Sequence, residues 1–510
     1  MSRDGDDTAL RRGHVTGAHG RVALRNAGLL LIQRGGLVAS GFLFATMVPR
    51  LMGPDAYGRY ALVLSLTTLF VASSALGFTE VVGRYVPSLR SRPDRSDLER
   101  LFGNLIMLRL ASSMIAALAY LGVTVFWLRE LDPVALGATA GAVLVRGLSQ
   151  CLFSFFLGMN QAARWGAGEL LTRWLLLFLV IPGFVLGQFR GACLSLLLTE
   201  LCILAVGIWW NRAHLSWRRL RIDLGYVAPY LRFGAGFFGG TLLSIVFHAS
   251  GEALVRAVSG DYAQVRYFGL ANGVFLIGAS TLQQVSLGFA ATMVTRHERR
   301  EADLLSEAAR RLVSWLTGGS MMIVFAVLFL GMDWVPSLLG SFYSPVAINL
   351  IPVTLALLVV SLSSTAGVVI LSHDRPGVVL AAAALRLVIF AGLAPVLIAR
   401  WASLGACVAI AVASTLHAAY LTWGIRAAIP RAWRAWLATV SLGVLFLPLL
   451  LLRATWLLNA ALYLFFLFAY SGALLLARII TPAEIRASWT AVASAGHLPG
   501  GPDGTAEQPS

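Results

Sequence analysis

The sequence predicts an all-α integral membrane protein of about fourteen transmembrane helices. Hydrophobic residues make up 58% of its 510 residues and charged residues only 13%, against about a quarter charged in soluble domains. Apolar stretches near the roughly 20 residues needed to cross a bilayer recur from end to end, and no interval between them is long enough for a soluble domain. The basic residues are all arginine, and they fall in an alternating pattern between the apolar stretches.

In order, the spans fall at residues 28–48, 58–80, 101–127, 134–157, 166–187, 190–210, 226–249, 267–293, 311–331, 346–371, 377–399, 402–424, 435–452 and 455–477. The closest divisions lie around Gly187–Arg190 and near Arg453. An even number of spans puts both termini on one side. With the N-terminal segment inside, the inner connections hold 26 arginines and the outer ones 8, a bias that places both termini in the cytoplasm. Residues 1–26 and 481–510 read as cytoplasmic tails whose polar composition suggests disorder. The apolar run after the first tail is too long for a signal peptide.

A net charge of +16 would suit nucleic acid if it formed one patch. Its dispersal among short connections excludes that reading and points instead to control of topology. Cys151, Cys193, Cys202 and Cys407 lie singly inside apolar runs, without metal or disulfide spacing, and read as small buried residues. The chain has no lysine and hence no P-loop, and it lacks HExxH, GxSxG and any acidic cluster fit for a metal. No enzyme activity, cofactor or metal is expected.

Six arginines lie inside spans: Arg34, Arg109, Arg146, Arg173, Arg232 and Arg386. Each would cost about 2.5–3.5 kcal/mol at the centre of a lipid-facing helix, so most should face a polar interior. Arg109, Arg173 and Arg386 lie within about two turns of a span end and could reach the headgroups instead. The first-span segment IQRGGLVASGFLF is similar to YLRFGAGFFGGTLL in the seventh, which aligns Arg34 with Arg232, and internal repeats of this kind mark transporters with a site between their halves. Among acids, Glu169 precedes Arg173 by four residues and suits a neutralising pair. Glu200 sits mid-span, as the partner of an arginine or as a coupling carboxylate. His248 precedes Glu252 by four near an outer span end, where a solvated helix terminus accounts for both.

The stretch RLMGPDAYGRYALVLSLTTLFVASSALGF, Arg50 to Phe78, resembles the polysaccharide-export flippases of the multidrug/oligosaccharidyl-lipid/polysaccharide (MOP) superfamily. Arg50, Gly53, Pro54, Tyr57, Gly58, Leu76, Gly77 and the segment VGRYVP carry the likeness. GSFYSPVAINLI, ILSHDRPGVVLAAAALRLVI and ASLGACVAIAVASTLHAAYLTWGI, with Leu404, Gly405 and Ala406 at a small-residue turn, extend it from about Ala27 to Arg478. The resemblance implies two pseudo-symmetric six-helix bundles plus two C-terminal helices. The expected layout is tail 1–26, bundles 27–225 and 226–430, added spans 431–480 and tail 481–510. It also implies a cationic cavity between spans one, two, seven and eight, with Arg34, Arg232, Arg146 and Arg173 as substrate-binding residues and Glu200, Glu169 and Glu252 in coupling or charge pairing. Pro229 and Glu252 stand where the family often has a proline-bearing segment and a later acid.

By this resemblance the substrate is a polyprenyl-pyrophosphate-linked oligosaccharide, moved across a bacterial inner membrane, with a polysaccharide polymerase and the export machinery as partners. Two alternatives share features with it. A drug/cation antiporter of the same superfamily would prefer an acidic cavity, and a polysaccharide polymerase or O-antigen ligase would need a large outer loop.

Overall fold

A computed structural model of the chain describes residues 4–90, 96–159, 161–212, 220–289, 293, 301–373, 376–425 and 429–482. Among these residues the secondary structure is helical throughout. The helices are α1 (Asp4–Ser73), α2 (Phe78–Arg90), α3 (Ser96–Trp127), α4 (Pro133–Gly158), α5 (Ala162–Asn211), α6 (Leu224–Ser259) and α7 (Tyr262–Gly288). They continue as α8 (Ala302–Leu339), α9 (Ser344–Ser372), α10 (Pro376–Ile425), α11 (Pro430–Val444) and α12 (Trp456–Leu476), with short 3-10 turns at Ser341–Tyr343 and Leu447–Leu452.

Three of these helices carry two spans each, joined at an abrupt break in the backbone. The breaks lie at Gly53 (φ 72) in α1, Gly187 and Gln188 (φ 48) in α5, and Ala402 (φ 47) in α10. A 50-residue helix such as α5 would be about 75 Å long, over twice the bilayer core, so a continuous rod is excluded by the membrane. The chain doubles back instead: the Ser195 hydroxyl donates to the Leu179 carbonyl at 2.9 Å. Gly183 and Gly191 approach so closely that a Cβ on either would overlap the other's carbonyl.

Ten described stretches are long and apolar enough to cross a membrane, or eleven when Asp55–Ser73 and Phe78–Val86, bent by 48°, count as one. Two of the ten, Ala163–Asn211 and Gly377–Ile425, hold a break and thus two crossings each. With the less apolar α7, these account for all fourteen expected spans. The divisions drawn near Gly187 and Arg453 coincide with a backbone break and with the gap before α12. Large apolar side chains cover the outside, among them Leu186, Leu451 and Leu476, each at least 87% exposed. Such a surface requires lipid around it.

Three expectations change. α1 is helical from Asp4, so the polar segment expected as a disordered tail continues the first span without a break. Its alanines and arginines are good helix formers, and the span supplies a nucleus. The connection between the seventh and eighth spans shrinks to Gly260–Asp261, because α6 and α7 extend beyond their apolar cores. Arg266, counted among the outer-loop arginines, is thereby drawn inside the protein and is fully buried. Cys202 is exposed, unlike Cys151, Cys193 and Cys407, because it lies on an outward face of α5.

Helices α1 to α5 pack among themselves, as do α6 to α10. The two groups meet where α1 and α2 lie against α6 and α7. The last helices dock on α8: the Phe325 and Phe466 rings stack 3.9 Å apart, and Asn459 donates to Asp333 at 2.8 Å. Trp436 Nε1 on α11 donates to the Leu358 carbonyl of α9 at 2.8 Å.

Candidate functional site

The seam between the two groups is closed at both ends. At the end bearing the arginine-rich segment 84–100, Gly77 and Gly234 touch backbone to backbone, and a Cβ on Gly234 would lie 2.7 Å from the Gly77 carbonyl oxygen. Only glycine fits there, and Gly77 also adopts φ 75 in the turn that separates α1 from α2. Aromatic and charged contacts flank this point. Tyr85 meets Tyr230 edge to face at 4.7 Å, and the Arg84 guanidinium lies 4.8 Å from the Phe233 ring. Arg100 pairs with Asp223 at 2.6 Å and rests 4.2 Å over Tyr226. Asp223 caps α6 by accepting from the Tyr226 amide, and the Arg100 hydrogen bond, followed by that amide, holds its carboxyl below the usual range.

At the opposite end a Cβ on Gly58 would overlap the Tyr262 carbonyl. The Tyr343 hydroxyl donates to the Pro49 carbonyl at 2.7 Å. Glu130, in the connection between α3 and α4, accepts from the Tyr262 hydroxyl at 2.6 Å and pairs with Arg256 at 2.7 Å. The Tyr262 bond first, then Arg256, pulls the Glu130 carboxyl down to about 2. These contacts bridge the groups, since Gly58, Pro49 and Glu130 belong to the first and Tyr262, Arg256 and Tyr343 to the second.

Between the two closures lies Glu252, buried and not at a solvated helix end as expected. Its Oε2 is 3.1 Å from the Ser65 hydroxyl of α1, and its Oε1 is 3.4 Å from Asn272 Nδ2 of α7. Ser65 is also 2.7 Å from the Ala249 carbonyl, a second acceptor for the same hydroxyl. α6 and α7 cross here at a buried glycine, Gly251, where a Cβ would overlap the Phe268 ring.

The expected cationic residues divide into three groups. Arg146 of α4 lies 3.7 Å from Glu200 of α5, which is 1% exposed. The charges of Arg146, Glu169 and Glu200 all act on Arg173, which is exposed. Glu169 accepts from Gln33 Nε2 of α1 at 3.1 Å, so its hydrogen bond goes to another helix and not to Arg173. Of these four, Glu200 is buried against Arg146, while Glu169 and Arg173 lie on an exposed face of α5, with Glu169 tied to the first span. Arg232 is exposed on α6, two residues before Gly234. Arg34 lies in α1, and its side chain falls outside the described residues.

Arg109 and Arg386, expected as candidates to reach the headgroups, are instead buried. Arg109 Nε donates to the Gly147 carbonyl at 2.9 Å, and its Nη2 lies 3.3 Å from both the Val71 carbonyl and Gln150 Oε1. It thereby fixes the end of α1 just before the turn at Gly77. Arg386 Nη2 donates to Ser244 at 2.8 Å, with the guanidinium 4.2 Å over Phe247. Arg266 sits between the rings of Tyr267 and Tyr343, at 4.4 and 4.2 Å. In the sequence Arg266 read as loop; the neighbouring aromatics, each able to stack on a guanidinium, were the only signal against it.

A family model described as "Polysaccharide biosynthesis protein" matches residues 23–295. Among solved structures, the chain is similar to the lipid II flippase MurJ in its inward closed conformation, with a TM-score of 0.64 and 12% identity, covering 89% of this chain and 99% of that one. It is also similar to an inward-facing multidrug resistance MATE family transporter of the MOP superfamily, with a TM-score of 0.62 and 13% identity, covering 80% and 98% of the two chains. The Vibrio cholerae MATE transporter VcmN in its bent form gives a TM-score of 0.53 and 13% identity, covering 82% and 99%. These likenesses are of fold. No curated protein matches the sequence.

Proposed function

Because the chain belongs to the family described as "Polysaccharide biosynthesis protein", we propose that it is a membrane transporter, a flippase for a polyprenyl-pyrophosphate-linked oligosaccharide, working by alternating access. The observation that supports this most is the seam, held shut at both ends by separate contacts: Gly77 against Gly234, and Gly58 with Pro49 against Tyr262 and Tyr343. A transporter that opens to one side at a time needs two closures that can be broken independently. Each closure here is made of small-residue contacts and a few polar bonds, which two rigid bundles can break by rocking.

In this reading the arginine-rich end is cytoplasmic, the membrane is a bacterial inner membrane, and the substrate enters between α1 and α6. Arg232 and Arg34 grip the pyrophosphate, since guanidinium groups pair bidentately with phosphate oxygens and stay charged at any working pH. Arg146 and Arg173 sit behind the first span and shape its field, partly neutralised by Glu200 and Glu169. With the cytoplasm negative, outward movement of each net negative charge gains about 2.3 kcal/mol per 100 mV, so an anionic head group can move without ATP. A second reading, a drug/cation antiporter, is favoured by one observation, the buried Glu252 at the seam. One acid at the seam, against intramembrane arginines that outnumber the acids, makes it the weaker of the two.

The test is the leaflet distribution of the lipid-linked oligosaccharide in cells depleted of the protein, with wild type, Arg34→Ala and Arg232→Ala restored in turn. Accumulation on the cytoplasmic face, cleared only by wild type, supports the flippase and its two grips. Normal delivery to the outer leaflet in depleted cells refutes it.

A further inference from the structure

We propose that the second helix group holds a binding site for a small monovalent anion of the halide class, lined by Arg386, His248 and His417. The site is built from three helical segments: Ser244, Phe247 and His248 on α6, and Ala382, Arg386 and His417 on the two halves of α10. Arg386 is 8% exposed. Among the described residues its one hydrogen-bond acceptor is the Ser244 hydroxyl, and its Nε is buried with no partner. His248 Nδ1 is likewise buried and without a partner. His417 donates from Nδ1 to the Ala382 carbonyl at 3.0 Å.

What sets Arg386 apart is that its unpartnered Nε has a buried, unpartnered imidazole nitrogen, His248 Nδ1, on the neighbouring helix. In the first group Arg146 has the Glu200 carboxylate beside it, and Arg109 has three oxygen acceptors. Around Arg386 no described carboxylate lies within ion-pair distance. Glu252 is one turn from His248, but its oxygens face Ser65 and Asn272. A buried guanidinium that keeps its charge needs a counter-charge or a full set of acceptors, and the Phe247 face supplies only part of one. Two imidazoles are the wrong donors for a metal cation held beside an arginine, and the right ones for an anion. The rings of Phe247, Phe275 and Phe390 around it are fully buried, so an occupant is expected to be small and weakly hydrated, which excludes a lipid head group.

The proposal does not rest on the flippase reading, and its test uses no lipid-linked substrate. Full-length protein in detergent is melted while sodium gluconate is replaced by sodium chloride at constant ionic strength. The melting temperature is expected to rise saturably with chloride, as for any ligand bound only by the folded state. Arg386→Gln should raise the half-saturating concentration about tenfold or more, by removing a charge-assisted contact. Should that variant not fold, His248→Gln is expected to shift half-saturation in the same direction. Crystals grown in bromide should show anomalous scattering beside Arg386 Nε. A wild-type melting temperature indifferent to chloride overturns the proposal. So does a chloride response that these variants leave unchanged, or bromide bound only elsewhere.

Discussion

Ser65 and Glu252 meet across the seam, one on each side of the molecule's internal boundary, with the hydroxyl 3.1 Å from the carboxylate. They are 187 residues apart in sequence, yet this bond lies between the two closures and joins the two helix groups directly. Ser65→Ala removes the donor to both Glu252 and the Ala249 carbonyl. A loss of about 1 kcal/mol is expected, together with faster labelling of cysteines introduced on either side of the seam. Unchanged labelling would mean that the bond plays no part in closure.

Gly234→Val places a side chain against the Gly77 carbonyl and against Val81 Cγ2, 2.9 Å from the new Cβ. The backbones must separate, so the arginine-rich end is expected to open. Cysteines introduced at Tyr230 and Tyr85 should then react with a membrane-impermeant thiol reagent several times faster, while the rate at the Tyr262 end stays the same.

At that other end, Tyr343→Phe removes the bond to Pro49 and keeps the ring over Arg266. A destabilisation of about 0.5–1.5 kcal/mol is expected. The accessibility change should be confined to the Gly58 and Tyr262 side, the mirror of the Gly234→Val result.

Glu200→Ala leaves Arg146 inside the first group without its partner. Breaking a fully buried pair from one side costs about 3–5 kcal/mol; with Arg146 partly exposed, a loss toward or below the low end of that range is expected, read as a drop in melting temperature. The double variant Arg146→Met with Glu200→Leu is expected to regain most of that loss. If it regains stability yet fails to transport, the charges serve function more than folding.

Glu130 predicts a dependence on pH. Its carboxyl is drawn from the ordinary value of about 4.5 down to about 2 in the folded state, chiefly by the Tyr262 hydroxyl. A depressed folded value contributes stability above pH 4.5 that is lost as the pH falls toward 2. The group is partly exposed, so the effect stays within the range of surface pairs, below about 1 kcal/mol. Melting between pH 7 and pH 3 should therefore show a loss that Tyr262→Phe reduces. An identical acid profile in that variant would remove Tyr262 as the cause.

How much of this was readable in the chain depends on range. Hydropathy is a local property, and it located the spans and even the breaks at Gly187 and before Trp456. The arginine bias is also local in character. Glu252 was misread because its i, i+4 relation to His248 suggested a solvated end, whereas its real partners, Ser65 and Asn272, come from other helices. Arg266 was misread because a charged residue beside a polar connection looks like loop, and only packing against Tyr343, some 77 positions later, buries it. The Gly77 and Gly234 contact left no trace in either segment alone, since glycine is common throughout these helices.

That last contact has a genetic consequence. Where two side chains clash, a smaller residue at the partner position can restore the fit. Gly77 and Gly234 meet through their main chains, and nothing smaller than glycine exists to substitute at either. Second-site revertants of a bulky replacement at one should therefore never arise at the other. They should map to residues that hold the same end together, such as Arg84, Arg100 or Asp223, where weakening a neighbouring bond lets the whole edge of one bundle stand slightly further off.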